Sequence, residues 1–387
     1  MHLSHETMDI AVKMLSYGHA CDSCLGRQLA KLKAIKGRTN AERGKIIRSL
    51  VAKKYKGIAE CKNGKCFVCE GLLDKLPEFS NEAMQKLKKI DFATFMVGIR
   101  MSDALVMNEE TLWEKIGVKY SEPIKAEISR ELIKAISKKT RKKPDPDKPD
   151  ILITFDLQRN GAEIFASPLL VYGEYKKFAR GLPQTSSPLY RQTVQDIIAK
   201  PFMKASLGSS HVLHALGRED KEARCLAWRP FVLEIKQPQK RKLNLKKIAA
   251  EINKSAKVKV AKLRVSDRKE VAAIKSKNPY KIYRVIVDFE KPVDNIELVK
   301  RLTGMIKQRT PSRVMGRKGD RTKHKKVKSI RWKRINSKRY QFDITTESGL
   351  YLNELVTGDE GRTRPSVSHV LGNRARIKGF DLIGLEG

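Results

Sequence analysis

The sequence predicts an α+β protein whose C-terminal half is built on a large, mainly antiparallel sheet. Two observations predict it. Helical periodicity dominates up to about residue 139, whereas the C-terminal half is mostly alternating, strand-like runs separated by a few helical stretches. Taken in order, "AERGKIIRSLVAKKY" (41–55) places Ile46, Ile47, Leu50 and Val51 at helical spacing. "NEAMQKLKKI" and "EPIKAEISRELIKAISKK" are helical again, with the strand-like "FATFMVGIRM" between them. "KKTRKKPDPDKPD" (138–150) reads as a connector, with three prolines, dense charge and no periodicity. Two strand patterns then meet at the turn signal Asn160-Gly161. "GLPQTSSPLY" (181–190) interrupts the pattern. Beyond it come the strands "RPFVLEI", "KVKVAKLRV", "KIYRVIVDF", "SIRWKRI" and "RYQFDITT", with "IELVKRLTGMIKQ" and "GLYLNELVTG" as helical stretches. The expected domains are a helical, cysteine-bearing region over 1–80, a second domain over 81–182, and a third over 183–387.

The chain has 387 residues, enough for two or three packed domains. No stretch approaches the roughly 20 apolar residues of a membrane span. The N-terminus lacks the basic start and long apolar run of a secretory signal, so a cytoplasmic protein is expected. Lys and Arg number 81 against 43 acids, a net charge of +38. Such a charge repels itself, and a polyanionic partner, nucleic acid, is the natural reading. The segment 313–339 concentrates it: 13 Lys or Arg among 27 residues, with one acid, Asp320. It begins as an irregular loop and continues into a strand where Ile330 and Trp332 alternate with basic residues. A folded ridge that grips phosphates is expected there.

Five of the six cysteines lie within residues 21–69. "CDSC" and "CFVC" are two C-x-x-C pairs, each beside turn residues, and fit one tetrahedral zinc held by Cys21, Cys24, Cys66 and Cys69. Cys61 is a spare that replaces Cys66 if the loop turns differently. A disulfide or reduced core thiols are the alternatives. Four thiolates would close the site, making it structural. Phosphate-binding loops of the G-x-x-x-x-G-K-[ST] and G-x-G-x-x-G types are absent, which disfavours ATPase, kinase and dinucleotide chemistry.

The chemistry-bearing stretch is "HALGREDKEARCLAWRPFVLEI" (214–235), an acidic pair, Glu219-Asp220, among arginines. A surface turn paired with Arg218 or Arg224 is one reading of it. The other comes from resemblance. "GRED…R…RPFVLEI" resembles the catalytic motif of pseudouridine synthases, and "KIYRVIV" (281–287) their Lys-x-Tyr strand. "GLYLNELVTGDEGRTRPSVSHVLG" (349–372) is similar to the C-terminal motif of the archaeal tRNA pseudouridine synthases that act on T-arm uridines 54 and 55. "CDSCLGRQLA", "CFVCEG" and "ARGLPQT" match that family's zinc site and RNA-binding THUMP domain.

The resemblance implies a zinc region and a THUMP-like α/β domain ahead of a pseudouridine synthase domain. It also implies tRNA as partner and no organic cofactor. Asp220 is then the nucleophile or base at the ribose, kept ionised by an arginine within a few ångströms; Arg362 is the candidate. Tyr283 shares a strand face with Val285, Val287 and Phe289. A core residue by spacing, it stacks on the flipped uracil by resemblance. Tyr351 is a second substrate contact, and Arg218 fills the gap left by the extruded nucleotide. A non-catalytic RNA-binding protein on the same fold is the alternative.

Overall fold

A computed structural model describes residues 4–33, 36–55, 57–58, 65–185, 190–317 and 319–386. They form two compact units, Met1–Ser167 and Pro168–Gly387.

The first unit opens with helices α1 (His5–Tyr17), α2 (Asp22–Gln28) and α3 (Asn40–Lys54). Thr39 starts α3 with a capping box: its hydroxyl accepts the Glu42 N–H, and the Glu42 carboxylate accepts the Thr39 N–H. Helices α2 and α3 cross at backbone contact. A Cβ on Gly26 would lie 1.8 Å from the Asn40 carbonyl oxygen, and one on Gly44 would lie 1.8 Å from that of Asp22. Only glycine fits either position. Then follow α4 (Leu76–Leu87), β1 (Thr94–Arg100), α5 (Asp103–Ile116), α6 (Ile124–Thr140), β2 (Lys143–Pro144), β3 (Ile151–Asp156) and β4 (Gly161–Ala166). The sheet order is β2-β1-β3-β4, parallel on both sides of β1 and antiparallel between β3 and β4.

One apolar core runs from Ala11 to Ala166, cysteine loops included. The boundary expected near residue 80 therefore does not divide the packing. Arg27 of α2, buried in the same unit, pairs with Glu127 of α6 at 2.9 Å and with Glu109 of α5 at 3.7 Å. The 138–150 connector stays inside this unit, because β2 pairs beside β1.

The second unit contains β5 (Leu169–Lys177), α7 (Val194–Ser206), β6 (Ser210–Ala215), β7 (Arg224–Lys236), α8 (Leu245–Ile252), β8 (Val258–Val265) and α9 (Arg268–Ser276). It continues with β9 (Tyr280–Phe289), β10 (Gly304–Arg309), β11 (Thr322–Asn336), β12 (Arg339–Thr346) and α10 (Leu352–Thr357). Strand β13 (Thr363–Arg364), α11 (Val367–Leu371) and β14 (Ala375–Glu386) complete it. The sheet order is β13-β10-β11-β12-β9-β14-β7-β5-β8, with β6 also on β7. Every pair is antiparallel except β14 with β7.

Strand β5 was expected before a boundary at 182. It belongs instead to this sheet, because it pairs with β7 and β8, and the units part between Ser167 and Pro168. "IELVKRLTGMIKQ" is not one helix but a 3₁₀ turn, Ile296–Leu302, followed by β10. In β11 a bulge between Val327 and Ser329 resets the alternation, so Val327 and Ile330, three residues apart, both face the core. Lys323, Lys326, Lys328, Arg331, Lys333 and Arg334 stay exposed, which makes the basic ridge a folded strand.

The glycine crossing yields a direct expectation. Gly44→Ala should destabilise the first unit by at least about 1–3 kcal/mol, because neither backbone can yield without moving its helix. Urea unfolding checks it, and a variant as stable as the parent would mean the helices do not cross this closely.

Candidate active site and metal centre

The cysteine site is built at a helix start. Cys21 caps α2, its Sγ accepting the Cys24 N–H at 3.5 Å, so both thiols of the first pair face one point. The second pair sits in tight turns in which the Cys66 and Cys69 carbonyls accept the Glu70 and Leu72 N–H groups, each at 2.8 Å. The four sulfurs lie within 4.8 Å of one another, with Cys21 and Cys69 at 3.8 Å. A tetrahedral ion with bonds of about 2.3 Å needs sulfurs about 3.8 Å apart, so the four residues fit a metal ion. Cys61 lies outside the described residues.

The acidic turn joins β6 to β7. Gly217 bends it at φ 64°, a left-handed conformation that suits glycine. The two carboxylates that follow diverge. Glu219 turns inward, its side chain 4% exposed, and pairs with Arg229 of β7 at 2.9 Å and Lys177 of β5 at 3.6 Å. Both cations are fully buried. They hold the backbone as well. Arg229 donates to the carbonyls of Leu216 and Gly217, and Lys177 to those of Leu182, Asp220 and Lys221. Gln184 adds a bond to the Gly217 carbonyl at 3.2 Å. Burial lowers the Lys177 pKa. The turn hangs from these groups, and Asp220 projects from it into solvent, its Oδ1 accepting the Glu222 N–H at 3.0 Å.

Tyr283 of β9 packs beside the core residues Val285 and Val287, edge-on to Phe380 with ring centroids 6.3 Å apart. Burial pushes its pKa up to about 12, helped by the charges of Asp220 and Glu219 and opposed by Arg229. The phenol therefore keeps its proton at neutral pH. Tyr351 precedes α10, and its backbone makes a reciprocal pair with the Gln308 amide, both bonds 2.9 Å. Arg218 is exposed beside Asp220.

The expected Arg362–Asp220 ion pair is not formed. Arg362 bonds the Thr310 carbonyl through two nitrogens and pairs with Asp320, with Asp359 at 3.9 Å. The loop after β10 captures it, so it serves the backbone there. Arg224 is likewise taken, by Asp381. Cys225 is buried, its thiol pushed up to about 12 by burial, and no nucleophile is expected of it.

Comparison with known proteins decides the family. The family described as "Pus10, C-terminal" matches residues 170–386, and "Pus10 THUMP domain, archaeal" matches 79–156. The chain belongs to the Pus10 family. Relatives named tRNA pseudouridine synthase Pus10 are similar along their whole length. That of Pyrococcus furiosus is 36% identical, covering 97% of each chain. That of Methanothrix thermoacetophila is 33% identical over 100% of this chain and 96% of its own. That of Halorubrum lacusprofundi is 31% identical over 99% and 97%. A solved Cbf5-Nop10-Gar1 complex is a remote likeness, 16% identical with a TM-score of 0.33 over 55% of this chain and 48% of its own.

Two residues that shape the site escape sequence reasoning. Arg229 stands within the motif quoted above, and Lys177 within "GEYKKFARGLPQT", but only strand pairing brings both under the turn. Replacing Arg229 with Met should cost about 3–5 kcal/mol, because Glu219 keeps a buried charge that Lys177 alone cannot balance. The double variant with Glu219→Leu should recover part of that loss in the same urea titration. A single-variant loss under about 1 kcal/mol would mean that the turn hangs on something else.

Proposed function

We propose that this chain converts T-arm uridines 54 and 55 of tRNA to pseudouridine, with Asp220 as the nucleophile or base at the ribose. As a member of the Pus10 family, similar to its named relatives over nearly their whole length, the chain is a tRNA pseudouridine synthase, an isomerase. The observation that carries the finer reading is the divergence of the acidic pair. Glu219 is spent on the fold, while Asp220 is exposed on the turn, accepting the Glu222 N–H, its charge bearing on the protonated phenol of Tyr283.

The reaction breaks the bond from uracil N1 to ribose C1′ and forms one from C5 to C1′. The C5 proton is lost and N1 gains one, so atoms balance without a co-reactant. Asp220 serves either by attack at C1′ or by removing a ribose proton. A stacked base hides these atoms, so the nucleotide must be extruded. In this reading Tyr283 offers its ring to the extruded uracil, Tyr351 closes the other side, and Arg218 enters the vacated stack. The exposed lysines and arginines of β11 bind backbone phosphates. The four-cysteine site takes zinc as a structural ion that fixes α2 to the loop at 66–69. No helix among the described residues is long and apolar enough to cross a membrane. The expected place of work is the cytoplasm.

Two outcomes test this reading. Asp220→Asn should lower single-turnover pseudouridine formation in an unmodified tRNA transcript by at least about 10³-fold while leaving tRNA affinity nearly unchanged. Mapping the product also decides which T-arm uridines react. Near-parental turnover by the asparagine variant would remove Asp220 from the mechanism. Protein purified without chelators should carry about one zinc per chain, lost in Cys69→Ser together with stability. Elemental analysis that finds none sinks the zinc assignment.

A further inference from the structure

We propose that Trp228 and Lys176 form a separate RNA contact of the synthase unit, a stacking platform for a base of the substrate tRNA other than the reacting uridine. The tRNA substrate follows from the family. That the base is not the reacting one rests on the reading of Asp220 and Tyr283 above.

The argument begins with a defect in the sheet. Between the pairs Tyr175–Arg229 and Lys177–Cys225, β5 advances by two residues and β7 by four. The surplus in β7 is a bulge, and a bulge re-aims the side chains it carries. Trp228 lies in it, 40% exposed, with the Lys176 ammonium 4.8 Å from the centre of its ring. An indole is among the largest apolar surfaces a chain can leave in water. Phe178, also exposed, follows at the end of β5, its N–H donating to the Lys257 carbonyl at 2.8 Å. Two open aromatic rings thus stand at the end of the sheet that carries the acidic turn.

The charges around the ring are positive and are not neutralised. Lys176 stands opposite Lys259 of β8 in register, and like charges so placed repel. Lys259 donates to the Asn253 carbonyl, which brings no negative charge. Among the described residues Lys176 makes no ion pair. Glu174, two residues before it, is held by Lys262 at 3.0 Å and by the Tyr172 hydroxyl at 3.2 Å. An open ring beside uncompensated lysines suits a base lying on the ring with its phosphate at the ammonium groups. With +38 on the chain and tRNA as its substrate, RNA is the occupant.

The place of the platform says which base it takes. Trp228 and Lys176 are the chain neighbours of Arg229 and Lys177, the buried cations that hold the turn. Successive residues of a strand point to opposite faces, so the ring lies on the face away from Lys177, Arg229 and Tyr283. It therefore serves a different base from the one assigned to Tyr283. Extruding a nucleotide breaks its stacking on the adjacent bases, and an unstacked base finds an aromatic face.

The test is binding of the full-length protein to an unmodified tRNA transcript, with tryptophan emission recorded in the same titration. Trp228→Ala should lower affinity about 10-fold, the loss of one stacked base, with its salt dependence unchanged because stacking releases no counterions. Trp228→Phe keeps a ring and should bind within about three-fold of the parent. Its emission, left to Trp113 and Trp332, should be quenched by tRNA to a smaller fraction than the parent's. Lys176→Gln should flatten the log–log salt slope by somewhat under about one unit, as for one phosphate contact. Parental affinity in the alanine variant overturns the proposal, and so does undiminished quenching in Trp228→Phe. A ring that docks a protein instead of RNA would give both of those results. Should Trp228→Ala fail to fold, the quenching comparison decides alone. If Asp220→Asn remains active while Trp228 is quenched, the reading of Asp220 fails and the RNA contact stands. If it is inactive and Trp228→Ala binds like the parent, only the platform is wrong.

Discussion

The buried triad of Glu219, Arg229 and Lys177 is the constraint on which the rest of the synthase unit depends. Burying three charges is costly, and the attraction between them does not by itself repay the lost hydration. Other donors of both cations go to backbone carbonyls, those of Leu216, Gly217, Asp220 and Lys221 in the turn and that of Leu182. Glu219 Oε1 and Arg229 Nε are left without hydrogen-bond partners, but the bonds that are made tie the turn to the sheet at several points and so fix its geometry. Asp220 can therefore be exposed and still have a defined position, because its backbone is held from beneath.

That arrangement also explains why the sheet extends so far. Lys177 and Arg229 come from adjacent strands, β5 and β7, and Tyr283 from β9 beyond β14. The register pairs Lys177 with Cys225, Tyr175 with Arg229 and Leu382 with both Cys225 and Tyr283. Side chains on paired residues share a face, so turn, cations and tyrosine meet on one side of the sheet. The opposite end of the same sheet carries the exposed basic strand β11. One framework thus supports both the turn that presents Asp220 and the exposed basic strand β11.

Legibility from sequence followed locality. The two C-x-x-C pairs and the shared face of Tyr283, Val285 and Val287 depend on short spacing, and both could be read directly. Asp220 was singled out through motif resemblance, which carries three-dimensional information that periodicity lacks. What sequence reasoning missed is non-local. Which of two adjacent acids turns inward depends on Lys177, more than 40 residues away in sequence (43 residues from Asp220). Arg362 was assigned to Asp220, but the loop after β10 brings Asp320 and the Thr310 carbonyl to it first. Strand β5 was assigned to the wrong domain because its partners come later in the chain. Gly26 and Gly44 gave no periodic signal, since their role is an approach between two backbones.

Lys281 shows what the site costs the fold. It lies two residues before Tyr283 on the same strand face, 7% exposed, with its Nζ 3.8 Å from where a Cβ on Gly217 would sit. Burial, together with repulsion from Arg229, lowers its pKa from 10.5 to about 8, against the pull of Cys225 and Glu219. A lysine depressed this way takes up its proton more readily unfolded than folded. Its contribution to stability therefore rises as pH climbs from about 8 toward 10.5, and below 8 the charged form is a burden of about 3 kcal/mol. At neutral pH the fold carries that burden, keeping three cations beneath a turn whose only inward carboxylate is Glu219. A core selected for stability alone would place an apolar side chain there. The surplus positive charge is instead retained under the turn that carries Asp220.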